Sequence, residues 1–178
     1  IMKLTKIETF TENKNIKGVT LVKITTDTNQ FGWGQISPYN SDISTTVLLR
    51  QVAPFAINQD ISDLKKLGYL LDIIYDKQHK FPGTYMCRAL GGLDTAIWDL
   101  HGRLNDKPVC DLIGDCKSKK IKVYGSSMKR DISPEDELER FKKLSDSNGI
   151  SAFKFRIGSE VGRNNDEWEG RTEKIITT

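Results

Sequence analysis

β-Branched and aromatic residues concentrate in three short runs, 3–10, 19–26 and 31–36, and turn-forming residues separate them at 13–18 and 27–30. Runs of this length and composition predict an antiparallel three-stranded meander. The third run carries Gly32 and Gly34 on either side of Trp33, and glycines inside a strand point to a close backbone approach or a bulge.

After a polar loop at residues 37–44 the hydrophobic period becomes helical. A short helix is expected to break or kink at Pro54. The next helix, with Asp60 as its cap, places Leu64, Leu67, Leu71 and Ile74 on one face and leaves Lys65, Lys66 and Asp72 to water. Beyond a turn at residues 81–83, Leu90, Leu93, Ile97, Leu100 and Leu104 draw a stripe along a long helix that ends before Pro108. Gly91 and Gly92 lie inside it at a cost of about 1 kcal/mol each relative to Ala, which points either to tight packing or to a slack helix start.

From residue 120 the pattern turns to β–α–β. Residues 121–127 read as a strand, Ser133 and Pro134 open a helix buried on Leu138, Phe141 and Leu144, Gly149 ends it, and residues 151–158 read as a second strand. Such a unit forces a parallel pair with a right-handed crossover. Trp168, Ile175 and Ile176 begin a further amphipathic helix. Two parallel strands need cover on both faces, so this second region reads as the start of a larger domain. Alternation within its second strand puts Phe153, Phe155 and Ile157 toward the crossover helix and Lys154 and Arg156 on the other face. That face is either a wet polar surface or a pair of cations meeting an anionic substrate at the strand's C-terminal end, where α/β folds place their sites.

Composition narrows the function classes. The chain has 178 residues, with 37 % hydrophobic and 29 % charged positions, enough for a packed core. A net charge of +3 is too small to argue for nucleic acid, and the basic run at 117–122 has no interleaved aromatic residue. Cys87, Cys110 and Cys116, with His79 and His101, match no zinc spacing, so reduced thiols in a cytoplasmic protein are expected. No apolar stretch reaches the roughly 18 residues of a membrane helix.

The stretch from Ala89 to Gly114, with Asp94, Ala96, Trp98, Asp99, Leu100, Gly102 and Pro108 at its fixed points, resembles the segment that closes the capping domain in the mandelate racemase and muconate lactonizing enzyme family of the enolase superfamily. The meander with Gly32-Trp33-Gly34 resembles the start of that domain, and Lys154-Phe155-Arg156 falls where the family carries a Lys-x-Lys strand end. The resemblance implies an α+β capping domain over residues 2–116, followed at 117–178 by the first βαβ unit of a truncated TIM-like (β/α) barrel. It further implies a Mg²⁺ enzyme that removes the proton α to a carboxylate and stabilises the resulting enediolate. The family's acidic metal ligands belong to later barrel strands, so this chain is expected to hold no metal and to be inactive alone. Asp94 and Asp99, on the capping helix, are expected to be structural. Lys154 and Arg156 are the catalytic positions carried over. Arg156 replaces the second lysine; a guanidinium stays protonated and cannot serve as a general base, which favours one-base dehydration over two-base racemisation. Gln35 stands where many relatives have Glu, and nothing in the sequence explains it. The loop containing Tyr39 and Asn40 occupies the place of a specificity loop; its hydroxyl, amide and carboxylate groups suit a polyhydroxylated acid, although an ordinary polar surface loop has the same composition. The resulting expectation is part of an acid-sugar dehydratase with a small carboxylate substrate, a homo-oligomeric state and no nucleic-acid or membrane partner. The alternatives are a racemase or cycloisomerase of the same family, or a non-catalytic self-associating α+β module.

Overall fold

A computed structural model describes residues 1–12, 18–114, 120–127, 129, 131–159 and 166–178. Cys116, most of the turn predicted at 13–18 and residues 117–119 of the basic run lie outside the described residues. The chain divides into two compact units, Ile1–Cys116 and Lys117–Thr178.

In the first unit β1 (Leu4–Thr11), β2 (Thr20–Thr26) and β3 (Phe31–Ile36) form an antiparallel sheet in that order. The register pairs Thr9 with Val22 and Val22 with Gly34, and on the other face Glu8 with Lys23 and Lys23 with Trp33. Val22, Ile24 and Ile36 are buried together with Leu93, Ala96, Ile97 and Leu100 of α4 (Thr84–Asn105) in one continuous cluster. The strand glycines have a definite cause. A Cβ on Gly32 would lie 2.2 Å from the Ala96 carbonyl oxygen, and one on Gly34 would lie 2.2 Å from that of Gly92. Only a bare backbone lets helix and strand approach so closely. Gly92 belongs to the same contact, because its Cβ would meet Ile36 Cγ1 at 2.8 Å, whereas nothing lies within 4 Å of one on Gly91. Tight packing therefore accounts for Gly92 and not for its neighbour.

Three helical expectations are corrected. The chain around Pro54 is not broken: α1 (Ser41–Val47) passes through a π-helical turn at Leu48–Val52 into α2 (Ala53–Ala56). Pro54 brings no N–H and crowds the preceding turn, and the widened ladder absorbs both defects. Asp60 does not cap α3 (Leu67–Lys77). Its carboxylate accepts from the backbone N–H of Met2 at 3.1 Å and of Ser62 at 3.0 Å, while Asp63 caps the single 3₁₀ turn that leads into the helix. Leu104 is 44 % exposed, since the last turn of α4 runs beyond the sheet that covers Leu100. A short helix, α5 (Val109–Ile113), completes the described part of this unit.

In the second unit β4 (Gly125–Ser126) and β5 (Phe153–Lys154) pair in parallel, joined through α6 (Pro134–Asn148), and α7 (Arg171–Thr177) follows. Ser133 accepts from the Asp136 N–H at 3.1 Å, and Gly149 closes α6 in the left-handed region. Phe153 stacks on Phe141 of α6 with centroids 4.6 Å apart, and Gly125 leaves room for the ring. Both strands are shorter than their hydrophobic runs. Ile121 is 85 % exposed, because a strand extends only as far as a neighbour accepts its ladder and each strand has one partner among the described residues. No helix of the described residues is long and apolar enough to cross a membrane.

Candidate active site

Lys154 is paired with Ser126 at the C-terminal end of the parallel strands. Phe153 and Phe155 line an apolar groove with Phe141 and Leu138 of α6, whereas Lys154, between them, does not. Its side chain is exposed, and among the described residues no carboxylate or carbonyl takes up its ammonium. Arg156 is half-buried beyond the end of β5, and its Nε donates to the Ser127 carbonyl at 3.2 Å. The sequence expectation assigned Arg156 the part of a fixed cation, and part of its donor set is committed to tying the two strand ends together.

Behind those strand ends lies a polar cluster that the sequence pattern did not reveal. Arg171 is 1 % exposed and its Nη1 donates to the Arg156 carbonyl, while its Nε has no hydrogen-bond partner among the described residues. The Ser127 N–H donates in turn to the Lys154 carbonyl at 2.7 Å. Glu137, 5 % exposed on the first turn of α6, accepts a two-pronged contact from Arg140 at 2.9 and 3.1 Å. Desolvation pushes the Glu137 carboxyl up, but hydrogen bonds from Arg140 and Ser127 and the charges of Arg140 and Arg171 outweigh it, leaving it below its ordinary value. Asp166 takes the Thr172 N–H at 3.1 Å and the Thr172 hydroxyl, and these bonds hold its carboxyl down. Nothing in the hydrophobic pattern singles out Arg171; the i,i+3 spacing of Glu137 and Arg140 is the one signal that could have pointed to this cluster.

In the first unit, Tyr39 is 49 % exposed and Asn40 occupies the left-handed region at φ 51° just before α1. Asn40 Nδ2 donates to the Tyr85 hydroxyl at 3.1 Å, and Arg88 Nη1 donates to the Tyr39 carbonyl at 2.7 Å. Asp99 accepts from the Trp33 N–H at 2.8 Å, which makes it a tie between α4 and β3. Asp94 is half-buried; desolvation raises its carboxyl despite a hydrogen bond from Trp98. His101 is buried with Nε2 at 2.7 Å from the Ile61 carbonyl, a structural contact. Among the described residues no three His, Cys, Asp or Glu side chains converge in a way that could hold a metal ion. The described residues therefore do not fit a Mg²⁺ site.

Residues 5–114 match the family described as Mandelate racemase / muconate lactonizing enzyme, N-terminal domain. A protein from Roseobacter denitrificans, provisionally assigned as a racemase, is 52 % identical and superposes with a TM-score of 0.87 over 98 % of this chain and 45 % of its own. A mandelate racemase/muconate lactonizing protein from Paracoccus denitrificans PD1222, complexed with magnesium, is 26 % identical with a TM-score of 0.73 over 88 % of this chain and 42 % of its own. An enolase from Agrobacterium radiobacter, provisionally a galactarate dehydratase and bound to sodium and L-malate, is 25 % identical with a TM-score of 0.69, covering 86 % of this chain and 38 % of its own. The chain thus spans less than half the length of these solved relatives. With more than half of its residues matched by the family's N-terminal domain, the chain belongs to the mandelate racemase/muconate lactonizing enzyme family of the enolase superfamily.

Proposed function

We propose that this chain supplies the capping domain and the first barrel strands of a Mg²⁺-dependent enzyme that abstracts the proton α to a carboxylate, with an acid-sugar dehydratase as the reading its residues favour. The observation that carries the proposal is the placement of Lys154 at the C-terminal end of a parallel strand pair, on the side away from the Phe141–Phe153 stack. An ammonium there neutralises a substrate carboxylate. At about 4 Å in a partly screened site its attraction is roughly 4 kcal/mol, and it grows as the α-carbon gives up its proton and negative charge moves onto the carboxylate oxygens. Arg156, anchored by Nε on Ser127, adds fixed positive charge and cannot accept the proton. The described strand end thus offers two cations, of which Arg156 cannot act as a base, and this favours one-base elimination. The magnesium and L-malate found in relatives are consistent with a small carboxylate substrate. The hydroxyl of Tyr39 in the 39–40 loop suits a polyhydroxylated one.

A second reading, racemisation, is favoured by the provisional assignment of the 52 % identical relative. One experiment separates the two. A chimera joins these 178 residues to the remaining part of the Roseobacter chain and is assayed with Mg²⁺ on a panel of acid sugars. Dehydration appears as a 2-keto-3-deoxy product and racemisation as an epimer. The 178-residue chain alone is expected to give neither product, and turnover by it would overturn the proposal.

A further inference from the structure

We infer that Tyr85 and Arg88, on the first two turns of α4, are positioning residues that set the conformation of the Tyr39–Asn40 loop and thereby its fit to substrate. The inference rests on the reading of that loop as a specificity element. Tyr85 and Arg88 are three residues apart and share a helix face. Each holds one residue of the loop: the guanidinium of Arg88 takes the Tyr39 carbonyl at 2.7 Å, and the phenol of Tyr85 takes the Asn40 amide at 3.1 Å. The guanidinium also lies 5.9 Å from the centre of the Tyr85 ring, so the two tethers support each other. What they hold needs holding. Asn40 sits at φ 51°, a conformation L-residues rarely adopt, and its carbonyl accepts the Ile43 and Ser44 N–H groups that start α1. The Tyr39 backbone and the Asn40 side chain are both engaged by α4, and Tyr39 as a residue is half-exposed. Asn40 is accordingly a strut and Tyr39 the substrate-facing group. Polar residues on a helix start carry no sequence signal for such a task, and neither position stands out in the hydrophobic pattern.

The test uses hydrogen exchange on the 178-residue chain and kinetics on the chimera. Loss of a charge-assisted hydrogen bond in Arg88→Met is expected to speed exchange at the Ile43 and Ser44 amides roughly ten- to a hundredfold, with the Val22 and Leu93 amides unchanged. Tyr85→Phe and Asn40→Gly give smaller increases at the same amides, and Arg88→Lys restores part of the protection. In the chimera, Arg88→Met raises KM about tenfold or more while kcat stays within about twofold. Unchanged exchange in both Arg88→Met and Tyr85→Phe overturns the positioning role and leaves the specificity-loop reading standing. Faster exchange with an unchanged KM overturns the specificity-loop reading and the inference with it.

Discussion

Among the described residues of 1–116 most buried side chains are hydrocarbon, and these join into one cluster running from Leu4 through Val22, Ile24 and Ile36 to Leu93 and Leu100, with Thr20, Thr26, Ser41, Ser44 and His101 as the buried polar exceptions. In residues 117–178 the buried aliphatic or aromatic side chains among the described residues are Pro134 and Phe141, and the other buried side chains are Ser127, Glu137 and Arg171. The first unit is held by close packing, to the point where β3 can carry no Cβ at Gly32 or Gly34. The second depends on a stacked aromatic pair and a polar cluster fixing two very short strands. Packing tolerates little change in volume, while a polar cluster tolerates little change in charge. The candidate cations belong to the second kind of structure, so their placement depends on hydrogen bonds more than on a core.

The largest effect expected from this contrast is at Gly34. An added methyl group would lie 2.2 Å from the Gly92 carbonyl oxygen, so Gly34→Ala is expected to destabilise the first unit by about 3 kcal/mol or more in urea unfolding. Gly91→Ala, with open space around it, is expected to stabilise by about 0.5–1 kcal/mol. Equal costs at the two positions would remove the close-approach account of the strand glycines.

The next effect belongs to the second unit. Glu137→Gln removes one of the two negative charges near the buried Arg171, leaving Asp166, and weakens the Arg140 contact, at a cost of about 2 kcal/mol. Because folding lowers the Glu137 carboxyl, its contribution is present above the ordinary glutamate range and fades as the pH falls through the folded value. Amides of α6 and β5 should exchange faster in the variant and those of β2 should not; the opposite distribution would contradict the contrast between the units.

The smallest effect is electrostatic and lies in the first unit. Hydrogen bonds from Ser62, side chain first and then backbone, together with the Met2 N–H, hold the Asp60 carboxyl at about 2 against its ordinary 3.8. The stabilisation is fully present above 3.8 and is lost as the pH drops through about 2. Asp60→Asn should therefore lower Tm near about pH 7 and have little effect near about pH 2. A deficit of equal size at both would show that Asp60 acts through something other than its charge.

Much of the first unit was legible because its determinants are local. Turn residues at 27–30 fix one hairpin, and Leu93, Ile97 and Leu100 recur at the helical period on the buried face of α4. Gly32 and Gly34 announced a close approach without naming its partner, since that partner is some sixty residues away along the chain. The π-helical turn before Pro54 was not legible because a proline signals a defect in the helix without saying how it is absorbed, and the link from Asp60 to Met2 was not because it depends on where another segment passes. In the second unit, alternation correctly separated Phe153 from Lys154 but overstated both strands, because alternation records burial and not pairing. Arg171 was missed for a related reason: a guanidinium is assigned to water until its partners are known. The position of Lys154 at a strand end was legible, whereas the bond from Arg156 to Ser127 was not, because it depends on where the neighbouring strand ends; the catalytic roles of both belong to the proposal.

The central claim is that the Lys154 ammonium stabilises charge developed on a substrate carboxylate. Exchange of the substrate α-proton in D₂O, followed by NMR with the chimera, reads that step without depending on which product is released. Lys154→Met is expected to slow exchange roughly a hundred- to a thousandfold with the fold intact, and Arg156→Lys to slow it much less. Exchange at the unsubstituted rate in Lys154→Met would contradict the claim.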